Sequence, residues 1–92
     1  MILKFLQINL GRGKEAQDLM LQKAAEEKTD ILLISEPYKK PSTQVWYEDT
    51  NHRAAIMVNN RRLNISEVDE SNACFVSANV NNVKIYSSSY IF

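Results

Sequence analysis

The feature that most constrains the fold of this chain is a strand–helix–strand pattern near its beginning. Residues 3–9 are apolar and predict a strand, and Ile31–Ser35 opens with a continuous apolar run that predicts a strand buried on both faces. Between them, Lys14–Glu27 predicts an amphipathic helix. Its apolar residues at helical spacing are Ala16, Leu19, Met20 and Ala24. Because the joins are short, we expect a βαβ unit with two parallel strands.

The second half of the chain follows a different pattern. Residues 37–51 are mostly polar and predict a long loop, within which Trp46 is expected to act as an anchor. Short strands are then expected at Ala54–Val58 and at residues 63–68, 73–80 and 83–92, with a tight hairpin turn at Asn81 and Asn82. The fold class predicted is therefore α+β: one βαβ unit followed by an antiparallel meander, or about one sheet plus one helix.

Such a fold leaves one face of the sheet uncovered. One helix covers only part of one face, and the other is expected to carry some of Val76, Ala78, Ile85 and Ile91. We therefore expect an exposed apolar patch that a second copy of the chain or a missing C-terminal half would cover. The end of the chain at Phe92, within an expected strand, also indicates a piece of something longer.

Composition excludes several classes of protein. The chain has 92 residues, enough for one small domain, and its 11 basic and 11 acidic residues cancel to a net charge of zero. No global field attracts nucleic acid or a membrane, so a charged partner requires a local patch. A single cysteine argues against a disulfide framework and indicates an intracellular protein, and no apolar run approaches the roughly 20 residues that a membrane span needs.

A glycine-containing loop after the first strand suggests one kind of site. "GRGKEA", from Gly11 to Ala16, fits the G-x-G-x-x-A pattern of dinucleotide-binding βαβ units. The chain then continues with a polar loop and hairpins instead of another crossover helix, which argues against this alternative. The phosphate-loop pattern G-x-x-x-x-G-K-[ST] fails, because Ile8 and Glu15 occupy two of its defining positions.

The expected ends of the two parallel strands suggest another site. Asn9 and Glu36 lie there, where open sheets place their ligands, and their amide and carboxylate oxygens suit Mg²⁺. Cations that could contact a phosphate backbone follow on both loops: Arg12, Lys14, Lys39 and Lys40. The alternative is that Glu36 is a solvated carboxylate and Asn9 a helix cap. The lone His52 is not expected to bind a metal.

Three segments resemble a known family. "LQINL", "DILLISEPY" and "HRAAIMV" resemble the L-Q-x-N-L, D-[IL]-x-[LI]-x-Q-E-P-Y and G-R-A-A-I-x-V segments of the endonuclease domain of non-LTR (LINE-type) retrotransposons, most closely those of the insect-type elements. That domain accompanies a reverse transcriptase. It belongs to the endonuclease/exonuclease/phosphatase superfamily, with its DNase I-like α/β/β/α sandwich, and the resemblance identifies residues 1–92 as its N-terminal part.

The resemblance implies Mg²⁺-dependent hydrolysis of a DNA phosphodiester, with Mn²⁺ as a possible substitute, in a nuclear protein. Asn9 and Glu36 match the family's metal-site residues, and Tyr90 matches a tyrosine near the scissile phosphate. These three are the catalytic candidates. The candidates for contact with DNA phosphates are Arg12, Lys14, Tyr38, Lys39 and Lys40.

The chain also departs from the family pattern. Ser35 replaces a glutamine and no proline follows the tyrosine. The Asp-x-Asn and Ser-Asp-His segments that the family carries later in its sequence do not follow Tyr90 here. Because the histidine of the last segment activates the attacking water, we expect this chain alone to be inactive or nearly so. The alternative is a non-catalytic DNA-binding or dimerising remnant.

Overall fold

The computed structural model describes residues 2–88, which contain one helix and seven strands. In chain order these are β1 (Phe5–Asn9), α1 (Lys14–Glu27), β2 (Ile31–Ser35), β3 (Val45–Glu48), β4 (Ala54–Val58), β5 (Ile65–Asp69), β6 (Phe75–Val80) and β7 (Val83–Ser88).

The first sheet is built around the βαβ unit. Its order is β1-β2-β4-β3, and β1 runs parallel to β2 in a register from Phe5 opposite Ile31 to Asn9 opposite Ser35. β4 runs antiparallel to both β2 and β3. The predicted parallel pair is therefore confirmed. β2 is central in this sheet, which agrees with its continuous apolar run.

The second sheet is an antiparallel meander of β5, β6 and β7. β6 and β7 are joined at Asn81 and Asn82, whose φ angles are 49° and 70°. Two successive positive φ angles are the geometry of a type I′ turn, and asparagine adopts them more readily than most residues. The predicted tight hairpin is confirmed.

The three layers enclose two separate apolar clusters. One lies between α1 and the first sheet and includes Met20, Leu32 and Trp46. The other lies between the two sheets and includes Ile56 and Val76. The layer order is therefore helix, sheet, sheet, with β2 and β4 of the first sheet buried on both faces.

This arrangement corrects the expectation of one sheet with an uncovered apolar face. Val76 and Ala78 are 0% and 1% exposed because the second sheet folds back onto the first, and Ile85 packs against the same cluster. Ile91 lies outside the described residues. The meander forms a second layer because its inward-facing side chains have the apolar face of the first sheet to bury against.

Two local predictions also need correction. The expected loop at residues 37–51 contains β3, in which Trp46 is 3% exposed and packs in the helix-side cluster. On α1, Leu19 is 56% exposed and Ala16 is also exposed. Met20 and Ala24 are buried as expected, and the third buried residue of the helix is the polar Gln17.

Asp30, at the turn between α1 and β2, provides a test of stability against pH. Its carboxylate accepts the backbone N–H of Lys4 at 2.7 Å and the side-chain amide of Asn60 at 2.9 Å, and these bonds hold its pKa below the ordinary value. The stabilisation is therefore present above the ordinary carboxyl pKa and is lost as the pH falls through the folded-state value. We expect Asp30→Asn to lower the free energy of unfolding in urea at pH 7, by an amount that shrinks at acid pH. A difference that stays constant with pH would contradict this explanation.

Within the described part of the chain, no helix is both long enough and apolar enough to cross a membrane.

Candidate functional site

Backbone hydrogen bonds connect the C-terminal ends of β1 and β2 to each other and to the start of β4. The N–H of Arg12 donates to the carbonyl of Glu36 at 2.8 Å, and the N–H of Glu36 donates to the carbonyl of Arg53 at 2.7 Å. Leu10 likewise donates to Ser35 at 2.9 Å. The loop after β1 therefore lies directly against the residue that ends β2, and the start of β4 completes the edge.

Three residues at this edge have a left-handed backbone. The φ angles are 61° at Arg12, 51° at Glu36 and 55° at His52. Outside glycine this conformation costs on the order of 1–3 kcal/mol, and such residues concentrate at functional sites. Arg12 also connects the other two, because its guanidinium lies 3.5 Å from the carbonyl of His52. Four other non-glycine residues of the described part share this conformation, so it is the grouping of three such residues at one edge that makes the edge a candidate site.

Asn9 is held in a defined position at the end of β1. Its side-chain oxygen accepts the N–H of Gly11 at 2.8 Å, and α1 instead begins after Gly13, so the alternative that Asn9 caps the helix is wrong. Leu6 and Ile8 of β1 pack against the helix-side cluster. Because side chains alternate along a strand, Asn9 lies on the side that faces the second sheet.

Glu36 is half-buried at the neighbouring strand end, and neither of its carboxylate oxygens has a hydrogen-bond or ion-pair partner among residues 2–88. The unpartnered carboxylate of Glu36 and the amide oxygen of Asn9, at the ends of neighbouring strands, are donors of the kind that suits Mg²⁺, which keeps most of its waters or substrate phosphates. The two residues therefore fit the ion that the resemblance implies. No cluster of three or more His, Cys, Asp or Glu side chains occurs in the described residues, so a site made wholly of protein ligands is not found there.

Beside Glu36 lies a cavity of about 400 Å³ that we call the basic cleft. Its lining residues are Arg12, Pro37, Tyr38, Lys39, Lys40, Glu48 and His52. Four of the five predicted phosphate contacts are therefore together in one concave surface. None of the three cations Arg12, Lys39 and Lys40 has an ion-pair partner within the part of the chain that the structure describes. A locally positive cleft thus exists in a chain of zero net charge.

The remaining predicted residues lie elsewhere. Lys14 does not line the basic cleft. Its ammonium pairs with Asp18 at 3.2 Å, and it borders an adjoining depression shared with Tyr38, Lys39 and Lys40. Asn9 and Glu36 are not among the lining residues of the basic cleft either, so the predicted set divides into a strand-end pair and a cationic group. Tyr90 lies outside the described residues.

Sequence reasoning missed Gln17, which fixes the loop that carries the cations. Although polar, it is 5% exposed on the buried face of α1. Its side-chain oxygen accepts the N–H groups of Tyr38 and Lys39 at 2.8 and 3.3 Å, and its amide donates to the carbonyl of Lys39 at 2.6 Å. The only sequence signal is a polar residue on the apolar helix face, which alone does not identify its partners.

We expect Gln17→Ala to lower the free energy of unfolding by about 1–3 kcal/mol, because it leaves these loop groups without their partner. Gln22→Ala is the matched control: Gln22 is exposed on the same helix and bonds only to Glu26 in the next turn, so its loss costs roughly 0.5 kcal/mol or less. Urea unfolding measures the first effect, and amide hydrogen exchange at Tyr38 and Lys39 measures loop opening. Equal effects of the two substitutions would contradict the assigned role.

Sequence reasoning also missed a polar chain at the inner end of the basic cleft. The indole N–H of Trp46 donates to one oxygen of Glu48 at 2.7 Å, and Nδ1 of His52 contacts the other. Trp46 and Glu48 lie two apart on β3 and share a face. Because β3 was not predicted, nothing in the sequence indicated that these three side chains meet.

The observed topology does not continue as a doubly wound dinucleotide fold. β2 is followed by the antiparallel strands β3 and β4, and α1 is the only helix within residues 2–88. Gly11 does adopt a left-handed φ of 55°, but it serves the turn closed by Asn9. NAD binding therefore has no structural support in the described residues.

Comparisons with protein-family models and with curated proteins find no match. Among solved structures, the chain is similar to the endonuclease domain of TRAS1, a telomere-specific non-LTR retrotransposon, with 27% sequence identity and a TM-score of 0.79. The alignment covers 99% of this chain and 45% of that structure, so the chain spans less than half of its length. The insect-type subfamily stays a prediction. In both sequence and fold, the chain is similar to the endonuclease domain of a non-LTR retrotransposon.

Proposed function

We propose that this chain is the N-terminal part of a Mg²⁺-dependent DNA endonuclease of the DNase I-like sandwich class, which nicks target DNA during retrotransposition in the nucleus. The observation that carries the proposal is the edge formed by β1 and β2. It combines an unpartnered carboxylate, an amide oxygen and a cationic cleft in a chain similar to a retrotransposon endonuclease domain.

In this proposal, Glu36 and Asn9 hold the metal ion and the basic cleft holds the DNA backbone. The bound ion, Mg²⁺ or Mn²⁺, would stabilise negative charge on the phosphate that is cleaved. Arg12, Lys39 and Lys40 would bind neighbouring phosphates as cations. Their binding strength would depend steeply on salt, as expected when each phosphate contact releases counterions.

We further propose that the 92 residues alone cleave DNA poorly or not at all. Hydrolysis needs a base within reach of the attacking water. The sequence has a single histidine, His52, whose Nδ1 contacts Glu48 in the basic cleft, and no Asp-x-Asn or Ser-Asp-His segment follows Tyr90. The metal-binding and phosphate-binding functions would therefore be present without the water-activating one.

DNA binding by the 92-residue chain tests this proposal. We expect a fluorescein-labelled duplex to bind more tightly in Mg²⁺ than in EDTA, by fluorescence anisotropy, while supercoiled plasmid stays largely uncut under the same conditions. Equal DNA affinity in Mg²⁺ and EDTA would overturn the metal site. Efficient Mg²⁺-dependent nicking by the chain would overturn the proposed inactivity and support the endonuclease assignment.

A non-catalytic DNA-binding module is the second candidate, favoured by the same basic cleft and by the missing base. It predicts DNA binding that EDTA does not change. The original reason for a dimerising version of this candidate no longer holds, because the first sheet already covers Val76 and Ala78 of β6. A monomer mass in sedimentation experiments is accordingly expected.

A further inference from the structure

The pair formed by Glu48 and His52 has no role in the metal site, yet it is an ordered feature of the basic cleft. Both carboxylate oxygens of Glu48 are engaged, one by the indole of Trp46 and the other by Nδ1 of His52. The side chain of Glu48 is 10% exposed, whereas that of His52 is 73% exposed. The buried carboxylate therefore fixes an imidazole ring that is itself presented to solvent.

The turn that carries His52 is also held from several sides. Asp49 is 2% exposed, and its side chain accepts the N–H groups of Arg53 and Ala54 at 2.8 and 3.1 Å. The N–H of Thr50 donates to Asn72 at 2.9 Å. The ring is thus positioned before any ligand binds, which reduces the entropy that binding would cost.

The surroundings of the ring favour an anion. His52 shares the basic cleft with Arg12, Lys39 and Lys40, none of which has an ion-pair partner among residues 2–88. The other ring nitrogen, Nε2, has no hydrogen-bond partner in that part of the chain. In an imidazolium both nitrogens donate, so Nδ1–H can bond Glu48 while Nε2–H bonds an incoming oxygen.

We propose that His52 contacts the DNA backbone, donating Nε2–H to a phosphate oxygen in the basic cleft, and that Glu48 is its positioning residue. This inference rests on the proposed function, since it takes DNA as the ligand. The phosphate concerned differs from the one at the metal ion. Asn9 faces the second sheet, whereas Glu48 lies on the helix-side face that carries Trp46.

DNA affinity measured over a range of salt concentrations tests the contact. The variant is His52→Asn, because asparagine also tolerates the left-handed φ of 55° at this position. We expect it to bind duplex DNA roughly fivefold to tenfold more weakly in both Mg²⁺ and EDTA, and to reduce the salt slope by about one phosphate contact. His52→Lys, which restores a cation, should recover the slope. Arg62→Ala is the control, since Arg62 lies beside the turn between α1 and β2, away from the basic cleft.

Because His52 is the only histidine, its ring nitrogens give one unambiguous set of NMR signals. Adding duplex DNA should shift the signals of the ring nitrogens, whereas adding the same ionic strength as NaCl should not. If DNA binds but the ring signals and the His52→Asn affinity stay unchanged, the contact is wrong and the proposed function survives. If wild-type protein does not bind DNA at all, both fail.

Discussion

Ile56→Ala is expected to destabilise the chain by about 2–5 kcal/mol, the range for removing a large aliphatic side chain from a packed core. Ile56 is 0% exposed in β4, where it sits opposite Leu33 and Tyr47 in the cluster between the two sheets. A small domain has only about 5–15 kcal/mol of stability in total, so this single change removes a large share of it. Urea unfolding measures the difference in the free energy of unfolding between the variant and wild type, with the m-value unchanged between the two.

Ile2→Ala is the matched control for this core substitution. It makes the same chemical change at a residue that is 97% exposed, and surface changes of this kind stay within about 0.5 kcal/mol. Similar losses for the two variants would contradict the packing of the second sheet onto the first. That result would revive the single-sheet arrangement with an uncovered apolar face.

Glu36→Gln is expected to remove the effect of Mg²⁺ on DNA affinity. The substitution preserves size and shape but replaces a charged oxygen with an amide group, and a hard divalent ion binds the carboxylate far better. Because the backbone of Glu36, not its side chain, makes the bonds to Arg12 and Arg53, the edge should keep its structure. In EDTA the variant should bind DNA at least as well as wild type, since one negative charge is gone.

Glu27→Gln is the control for charge alone. Glu27 is an exposed residue at the end of α1, away from the basic cleft, and its substitution removes the same charge without touching the strand-end pair. The variant should keep the full Mg²⁺ enhancement. If Glu36→Gln keeps it too, the carboxylate does not hold the ion.

The elements with strong local patterns were predictable from the sequence. The bounds of α1, β2 and β4 agree with the expectation, because helical periodicity and continuous apolar runs are local properties. The hairpin at Asn81 and Asn82 was likewise predictable, since asparagine suits its positive φ angles.

The arrangement of the layers was not predictable in the same way. β3 has only four residues within a polar stretch, and it forms because Val45–Glu48 pairs with β4. Stacking of the second sheet depends on contacts between β4 and β6, which no periodicity encodes. Burial against residues far away in the sequence therefore determines both the formation of β3 and the stacking of the second sheet.

The candidate site was also predictable only in part. Its cations were found from their places after two strand ends, and most of them do line one cleft. Gln17, Glu48 and His52 were missed, because their roles depend on partners that meet only after the helix and β3 are placed. The metal-binding roles of Asn9 and Glu36 stay predictions.

Paramagnetic broadening by Mn²⁺ in the two-dimensional NMR spectrum tests the central claim most directly. A divalent ion held between Asn9 and Glu36 should broaden the amide signals of those two strand ends first, at substoichiometric Mn²⁺, and excess Mg²⁺ should restore them. Unaffected signals at both strand ends, with broadening only around carboxylates elsewhere in the chain, would contradict the account.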